Sequence, residues 1–318
     1  MSAGADRSGR VEDPTAASLV ATGNSGKSAG ESLVTNGSSS PRPKAKRAYV
    51  TRSRVEDIDG QLNSHQRAIL ADVGRLGVVT GRQVQRLHYG ESAAGARLAR
   101  KHLGELIRWQ VLSRLERTIG GKRAGSAGFV YALGPAGQRL LHPNRWRFRP
   151  VWTPRPSYLR HALAVSELYV SLRELEHSTS MDLVAYDSEP KCWRNYFGPG
   201  GARSILKPDA LAIIGIENYE DRYFIEADCS TEHRPHIVAK AKTYVRYWQS
   251  GREQAETGIF PFVLWVAPDE KRAAFLVDCL ASLPPEHWQI FMVTNADAAS
   301  EQMATGTAMP ITIGKGVT

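Results

Sequence analysis

Through residues 1–60 apolar positions are sparse and follow no period, and Ser, Gly, Ala, Pro, Lys and Arg dominate. Such a stretch buries too little to order itself, so it is expected to be a disordered tail. From Leu62 the spacing changes. Ile69, Leu70, Val73 and Leu76 recur at helical intervals behind Ser64 as the expected N-cap, and Gly77 ends the helix. A second helix is expected from Thr80, with Val84 and Leu87 on one face. A third runs from Ser92 to about Trp109. Ala96, Ala99, Leu103, Leu106 and Ile107 fall on one side of it, and Arg97, Arg100, Lys101 and Arg108 on the other, with Gly104 among them. Strand candidates at Val111–Arg117 and Phe129–Leu133 flank a Gly-rich basic segment carrying Lys122 and Arg123. A short helix follows from Pro135. Three helices and then a hairpin is the order of a winged helix-turn-helix, here over residues 61–142.

Residues 143–157 are rich in Pro, Arg and Trp and read as a linker. Beyond it the period alternates. A helix is expected at Tyr158–Leu175 and strands at Leu183–Ser188, Leu206–Ile214 and Arg222–Asp228. Then come a helix at Pro235–Gln249, a strand at Phe260–Val266, a helix at Asp269–Ala281 and a strand at Gln289–Val293. Alternation of this kind predicts an α/β domain with a mixed sheet over residues 158–295. The overall class is therefore α/β (α+β across both domains), with residues 296–318 expected to be a loose tail.

Charge divides the chain along the same lines. Residues 61–150 hold 16 basic and 4 acidic side chains, whereas residues 151–318 hold 16 and 21. A basic block beside an acidic one predicts a polyanion-binding module joined to something else. On the third helix the basic side suits phosphates and guanine edges, so Arg97, Arg100, Lys101 and Arg108 are the candidate DNA contacts, with Lys122 and Arg123 reaching flanking phosphates. No apolar run is long enough to span a membrane. The opening residues lack the apolar core of a secretion signal. Cys192, Cys229 and Cys279 lie far apart without zinc spacing, as expected of reduced thiols in a cytoplasmic protein.

The chemistry-bearing run is Lys207-Pro208-Asp209, then Glu226-Ala227-Asp228, then Lys240. Asp209 begins one apolar strand and Glu226 and Asp228 end the next. Residues two apart on a strand share a face. If the strands pair as a hairpin, three carboxylates meet, and Mg²⁺ or Mn²⁺ bound by Asp209, Glu226 and Asp228 would relieve their repulsion. Lys240 could then stabilise developing negative charge, giving Asp209, Glu226 and Lys240 as candidate catalytic residues. His161 reads as a core or capping histidine, and Glu167 and Glu189 as surface or structural carboxylates. Tyr244 and Tyr247 read as core aromatics, with a nucleophilic role as the alternative.

From about Leu62 to Asn295 the sequence resembles the replication-relaxation family of plasmid and mobile-element proteins. The resemblance rests on LNSHQRAILADVGRLGVVTGRQVQRLHY, KPDALAII and FIEADCSTEHRPHIVAKAKTYVRYW. Its most specific part is Glu226, Asp228, Thr231, Glu232, Lys240 and Tyr244. It implies a restriction-endonuclease-like core of the PD-(D/E)xK type, similar to class C mobilisation relaxases, and a metal-dependent nickase or relaxase acting at an origin. The implied partners are double-stranded DNA and other replication or mobilisation proteins, and a homodimer is left open. One position departs from that pattern: Asp228 stands where the superfamily has lysine. Either Lys240 or Lys242 supplies that charge from the helix, or the domain is a noncatalytic scaffold in a DNA-binding regulator or replication initiator.

Overall fold

The computed structural model describes residues 50–115, 128–144 and 155–306. Lys122 and Arg123, most of the expected linker and the outer parts of both expected tails lie outside the described residues.

The first half is helical. α1 (Arg52–Gln61) is capped by Thr51 and buries Ile58. This corrects the expectation of disorder up to residue 60. Val50, Ile58 and Leu62 all enter the core, although the polar residues around them dilute the period. α2 (Ser64–Leu76) has Asn63, not Ser64, as its cap. The Asn63 side chain and Gln66 form a capping box, and Ile69, Leu70, Val73 and Leu76 are buried as expected. β1 (Val78–Thr80) leads into α3 (Gly81–Tyr89), which carries a second capping box from Thr80 and Gln83. Ser92 caps α4 (Ala93–Arg108), whose Ala99, Leu103 and Leu106 face inward. Gly95 is required here, because a Cβ would meet the Tyr89 carbonyl at 2.4 Å. β2 (Leu112–Arg114) and β3 (Val130–Leu133) complete a three-stranded antiparallel sheet of order β1-β3-β2, and α5 (Pro135–Leu141) closes this half.

The second half opens with the long α6 (Pro156–Ser178). Its sheet is five-stranded, built from β4 (Met181–Ser188), β7 (Ala210–Ile216), β8 (Tyr219–Ala227), β9 (Phe262–Ala267) and β10 (Phe291–Asn295) in the order β10-β9-β8-β7-β4. β4, β7 and β8 pair antiparallel, while β8, β9 and β10 pair parallel, so the sheet is mixed. The expected strand at Leu206–Ile214 is broken at Lys207-Pro208. Its first residue, Leu206, ends β6 (Arg203–Leu206), which pairs with β5 (Arg194–Phe197) in a separate ribbon. α7 (Arg234–Gln249), the short α8 (Arg252–Thr257) and α9 (Glu270–Leu280) follow. α7 and α9 bury Ile237, Ala241, Tyr244, Leu276 and Leu280 with Phe224 and Trp265 on one face of the sheet. The other face, with Ala212, Ile214 and Ile225, packs with Val165, Leu168 and Leu172 of α6. α10 (Ala299–Thr305) buries Ala299, Met303 and Ala304 in that same cluster, so the chain stays ordered beyond residue 296, contrary to the expected loose tail.

One apolar cluster runs from Ile69, Val73 and Val84 through Val165, Tyr169 and Leu172 into the sheet, joining the two halves. Polar groups lock the seam. Ser166 Oγ donates to the Val78 carbonyl at 2.7 Å, Tyr169 to Asp72 at 2.9 Å and Gln83 to Glu167 at 2.8 Å. Arg86 is paired with both Glu167 and Glu174. Glu167 therefore has the structural role expected of it.

Candidate functional site

At one end of the mixed sheet the edge strand, the break before β7 and the end of β8 meet the first turns of α6 and the middle of α7. β7 and β8 pair as the expected hairpin, with Ala210 opposite Ile225. This carries Asp209 beside Ala227, whose backbone N–H donates to Asp209 Oδ2 at 2.8 Å. From α6, His161 Nε2 reaches Asp209 Oδ1 at 3.2 Å, while its Nδ1 lies 3.0 Å from the Ala227 carbonyl. Glu189, just past β4, completes the group. Among the described residues, His161, Glu189 and Asp209 bring one donor atom each within 4.8 Å of one another.

Glu226 and Lys240 form the second part. Glu226 is fully buried, accepts a hydrogen bond from Tyr244 Oη and is ion-paired with Lys240. Lys240 Nζ lies 5.7 Å from the centre of the Trp265 ring. A cavity of about 40 Å³ is lined by His161 of the first part, by Glu226 and Lys240 of the second, and by Asp228, Cys229 and Thr231 among others. That is room for a few waters or an ion with part of its hydration shell.

The charges are strongly coupled. Burial and the neighbouring Asp209 push the Glu226 carboxyl up to about 8, with Lys240 and Tyr244 pulling part of the way back. Burial opposes the charge on Lys240, but Glu226 and Asp209 outweigh it and hold the ammonium protonated well above its ordinary range. Burial likewise opposes the His161 imidazolium, yet hydrogen bonds to Asp209 and Cys229 raise its pKa to about 11. Asp209 is held below the ordinary carboxylate range, because His161, Lys240 and the Ala227 amide overcome its desolvation. Burial, with Asp209 nearby, shifts Glu189 upward.

The expected metal ligands do not all share one set of partners. Asp209 and Glu226 come together as the hairpin argument required, and Lys240 reaches them from α7. Asp228 lines the same cavity as Glu226 and Lys240, but its carboxylate is engaged elsewhere. It lies one residue past β8, and Arg272 of α9 takes both its oxygens at 2.8 Å each. Ser230 N–H adds a third bond to it at 2.6 Å. Strand alternation gives the side of the sheet but not the partner waiting there, and a guanidinium on a later helix claims this carboxylate. His161 and Glu189, which read as structural in the sequence, lie beside Asp209 instead. Tyr244 and Tyr247 are fully buried and donate to Glu226 and Glu253, so both serve the core.

On the first half, Arg97, Arg100, Lys101 and Arg108 are all exposed along α4 and make no ion pair among the described residues. Nothing stands within 4 Å of where a Cβ on Gly104 would project, so the backbone between them is open to approach.

The family model for replication-relaxation proteins matches residues 70–263, spanning parts of both halves and including His161, Glu189, Asp209, Glu226 and Lys240. No curated protein and no solved structure matches the chain.

Proposed function

Since the chain belongs to the replication-relaxation family, we propose that it acts on DNA during replication or mobilisation of a plasmid or integrative element. In this reading the first half is a winged helix that holds duplex DNA, and the second cuts one strand in a divalent-metal-dependent reaction. The observation that carries the proposal is the grouping of His161, Glu189 and Asp209, with His161 lining the same small cavity as the Glu226–Lys240 pair.

The donor set fits a divalent ion. One imidazole and two carboxylates suit Mn²⁺ better than Mg²⁺, which favours oxygen alone. Such an ion, when bound, polarises a phosphodiester and lowers the pKa of its water. His161, Glu189 and Asp209 are the residues that would hold it. Lys240 contributes a fixed positive charge toward the oxygens that become more negative as phosphorus is attacked. Tyr244 fixes Glu226, and Glu226 in turn holds Lys240 in place. With both α7 tyrosines buried, water is the nucleophile that fits this site. The exposed basic side of α4 supports duplex binding, and its charge supplies phosphate contacts in any sequence.

A second reading has its own support. Each buried carboxylate already has a cation within the chain: Asp209 has His161, Glu226 has Lys240 and Asp228 has Arg272. A site neutralised in this way can serve as a noncatalytic scaffold in a DNA-binding regulator. Incubation with supercoiled plasmid carrying the element's origin separates the two. The nickase reading expects open circles with Mn²⁺, none with Asp209→Asn, and a loss of about 10²- to 10³-fold with Lys240→Ala. Folded wild-type protein that neither nicks nor gains thermal stability from Mn²⁺ would leave the regulator.

A further inference from the structure

The ribbon of β5 and β6 belongs to neither sheet. Its register places Asn195 opposite Ile205, Tyr196 opposite Ser204 and Phe197 opposite Arg203. One side is anchored, with Tyr196 and Leu206 buried and the Tyr196 ring packed edge-on against Tyr247 at 5.0 Å. The other side faces solvent. Phe197 is 61% exposed and Ile205 48%, with Arg203 beside them. Two large apolar side chains side by side on an anchored ribbon gain nothing from the chain's own fold, since water covers them.

The position of the ribbon gives that face a use. β6 runs straight through Lys207 and Pro208 into Asp209. Lys207 is exposed, its ammonium sits 4.6 Å over the Trp193 ring, and its charge acts on Glu189 of the candidate metal group. The exposed apolar face, an arginine with no ion pair among the described residues, and the segment leading to the edge of the site thus follow one another along the chain.

We propose that this face binds an unpaired stretch of the DNA strand entering the site, with a base stacked on Phe197, Ile205 packed beside it, and phosphates held by Arg203 and Lys207. This rests on the DNA-acting reading above. A paired duplex offers Phe and Ile little outside its grooves, whereas an unpaired base offers an uncovered ring face to any flat apolar side chain. The cations flanking that face match the charge of the strand backbone. A ribbon that grips separated bases would hold an opened strand next to the segment that leads into Asp209.

The test uses the full chain, a fluorescently labelled dT₂₀ oligonucleotide and a labelled 20-base-pair duplex. Phe197→Ala and Arg203→Ala are each expected to weaken dT₂₀ binding roughly tenfold while duplex affinity stays within about twofold. Arg97→Ala with Lys101→Ala is expected to show the reverse pattern. Both ribbon positions are exposed, and unchanged unfolding midpoints would confirm that the variants are folded. Unaltered dT₂₀ affinity in both ribbon variants, with duplex binding intact in the wild type, overturns the ribbon proposal alone. No binding of either DNA by wild-type protein overturns the DNA reading beneath it. If sedimentation instead shows a dimer that Phe197→Ala dissociates, the face is a self-association surface and the proposal fails.

Discussion

Arg272→Ala is the sharpest check on the regrouped ligands. The substitution removes two charge-assisted hydrogen bonds from Asp228 and one from the Glu232 carbonyl, together with the packing of the guanidinium 4.7 Å from the Phe275 ring. Asp228 keeps only the Ser230 N–H among its side-chain partners, and its side chain is 1% exposed. Breaking a buried pair from one side costs about 3–5 kcal/mol. The expected loss is therefore about 3–5 kcal/mol, measured by urea unfolding. Asp228→Ala in the Arg272→Ala background should recover part of the loss, since no charge is then stranded. Mn²⁺ should stabilise both variants as much as wild type, because neither residue is in the donor group. A loss below about 1 kcal/mol, or disappearance of the Mn²⁺ effect in a folded Arg272→Ala protein, would return Asp228 to the metal site and refute the regrouping.

Three further outcomes are expected. Glu189→Gln and His161→Ala should each abolish the Mn²⁺-induced rise in melting temperature, which a ligand-set of Asp209, Glu226 and Asp228 would leave intact. Arg97→Ala with Lys101→Ala should lower the log–log salt slope of duplex binding by about 1.8 while changing stability by less than about 0.5 kcal/mol, read from titrations at several salt concentrations. Glu226 has a folded pKa of about 8 against an ordinary 4.5. The folded state therefore holds a proton that the unfolded state has lost between those values, and stability from this group is present below about 4.5 and lost as pH rises through about 8. Glu226→Gln should flatten that decline in a series of thermal melts across the interval.

Much of this was legible because periodicity reports burial directly. The inward positions of α2 and α4 lie where the helical spacing put them, and helices begin at or next to the expected starts Thr80, Ser92 and Asp269. The hairpin of β7 and β8 followed from two apolar runs, and with it the approach of Asp209 to Glu226. Elements with a weak period were not legible. α1 spends two apolar residues, Val55 and Ile58, in ten, and α10 relies on alanines that composition alone reads as tail. Nor did the sequence announce the β5–β6 ribbon, whose strands are four residues each. Partners distant in sequence were the harder loss. His161 precedes Asp209 by 48 positions on a different element, and no local spacing connects them. The same holds for Arg272 and Asp228, 44 residues apart.

α6 explains why the two halves must be read together. His161, in its second turn, belongs to the candidate metal group, and Ser166 and Glu167 belong to the seam with β1 and α3. Five or six residues of helix separate the two roles, about 8–9 Å of rigid rise. Seam groups are buried or paired on both sides, and Arg86, which spans to two glutamates, is mostly covered. The exposed side of α4 is therefore fixed relative to Asp209 by packing across the seam, whatever path residues 145–154 take. Under the nickase reading, the cut falls at a set distance from the bound duplex, and that distance is a property of α6. Weakening the seam, as in Arg86→Ala, would then scatter the cut positions without touching either the basic helix or the carboxylates. Under the regulator reading, the same substitution would loosen the protein and change nothing in how it positions on DNA.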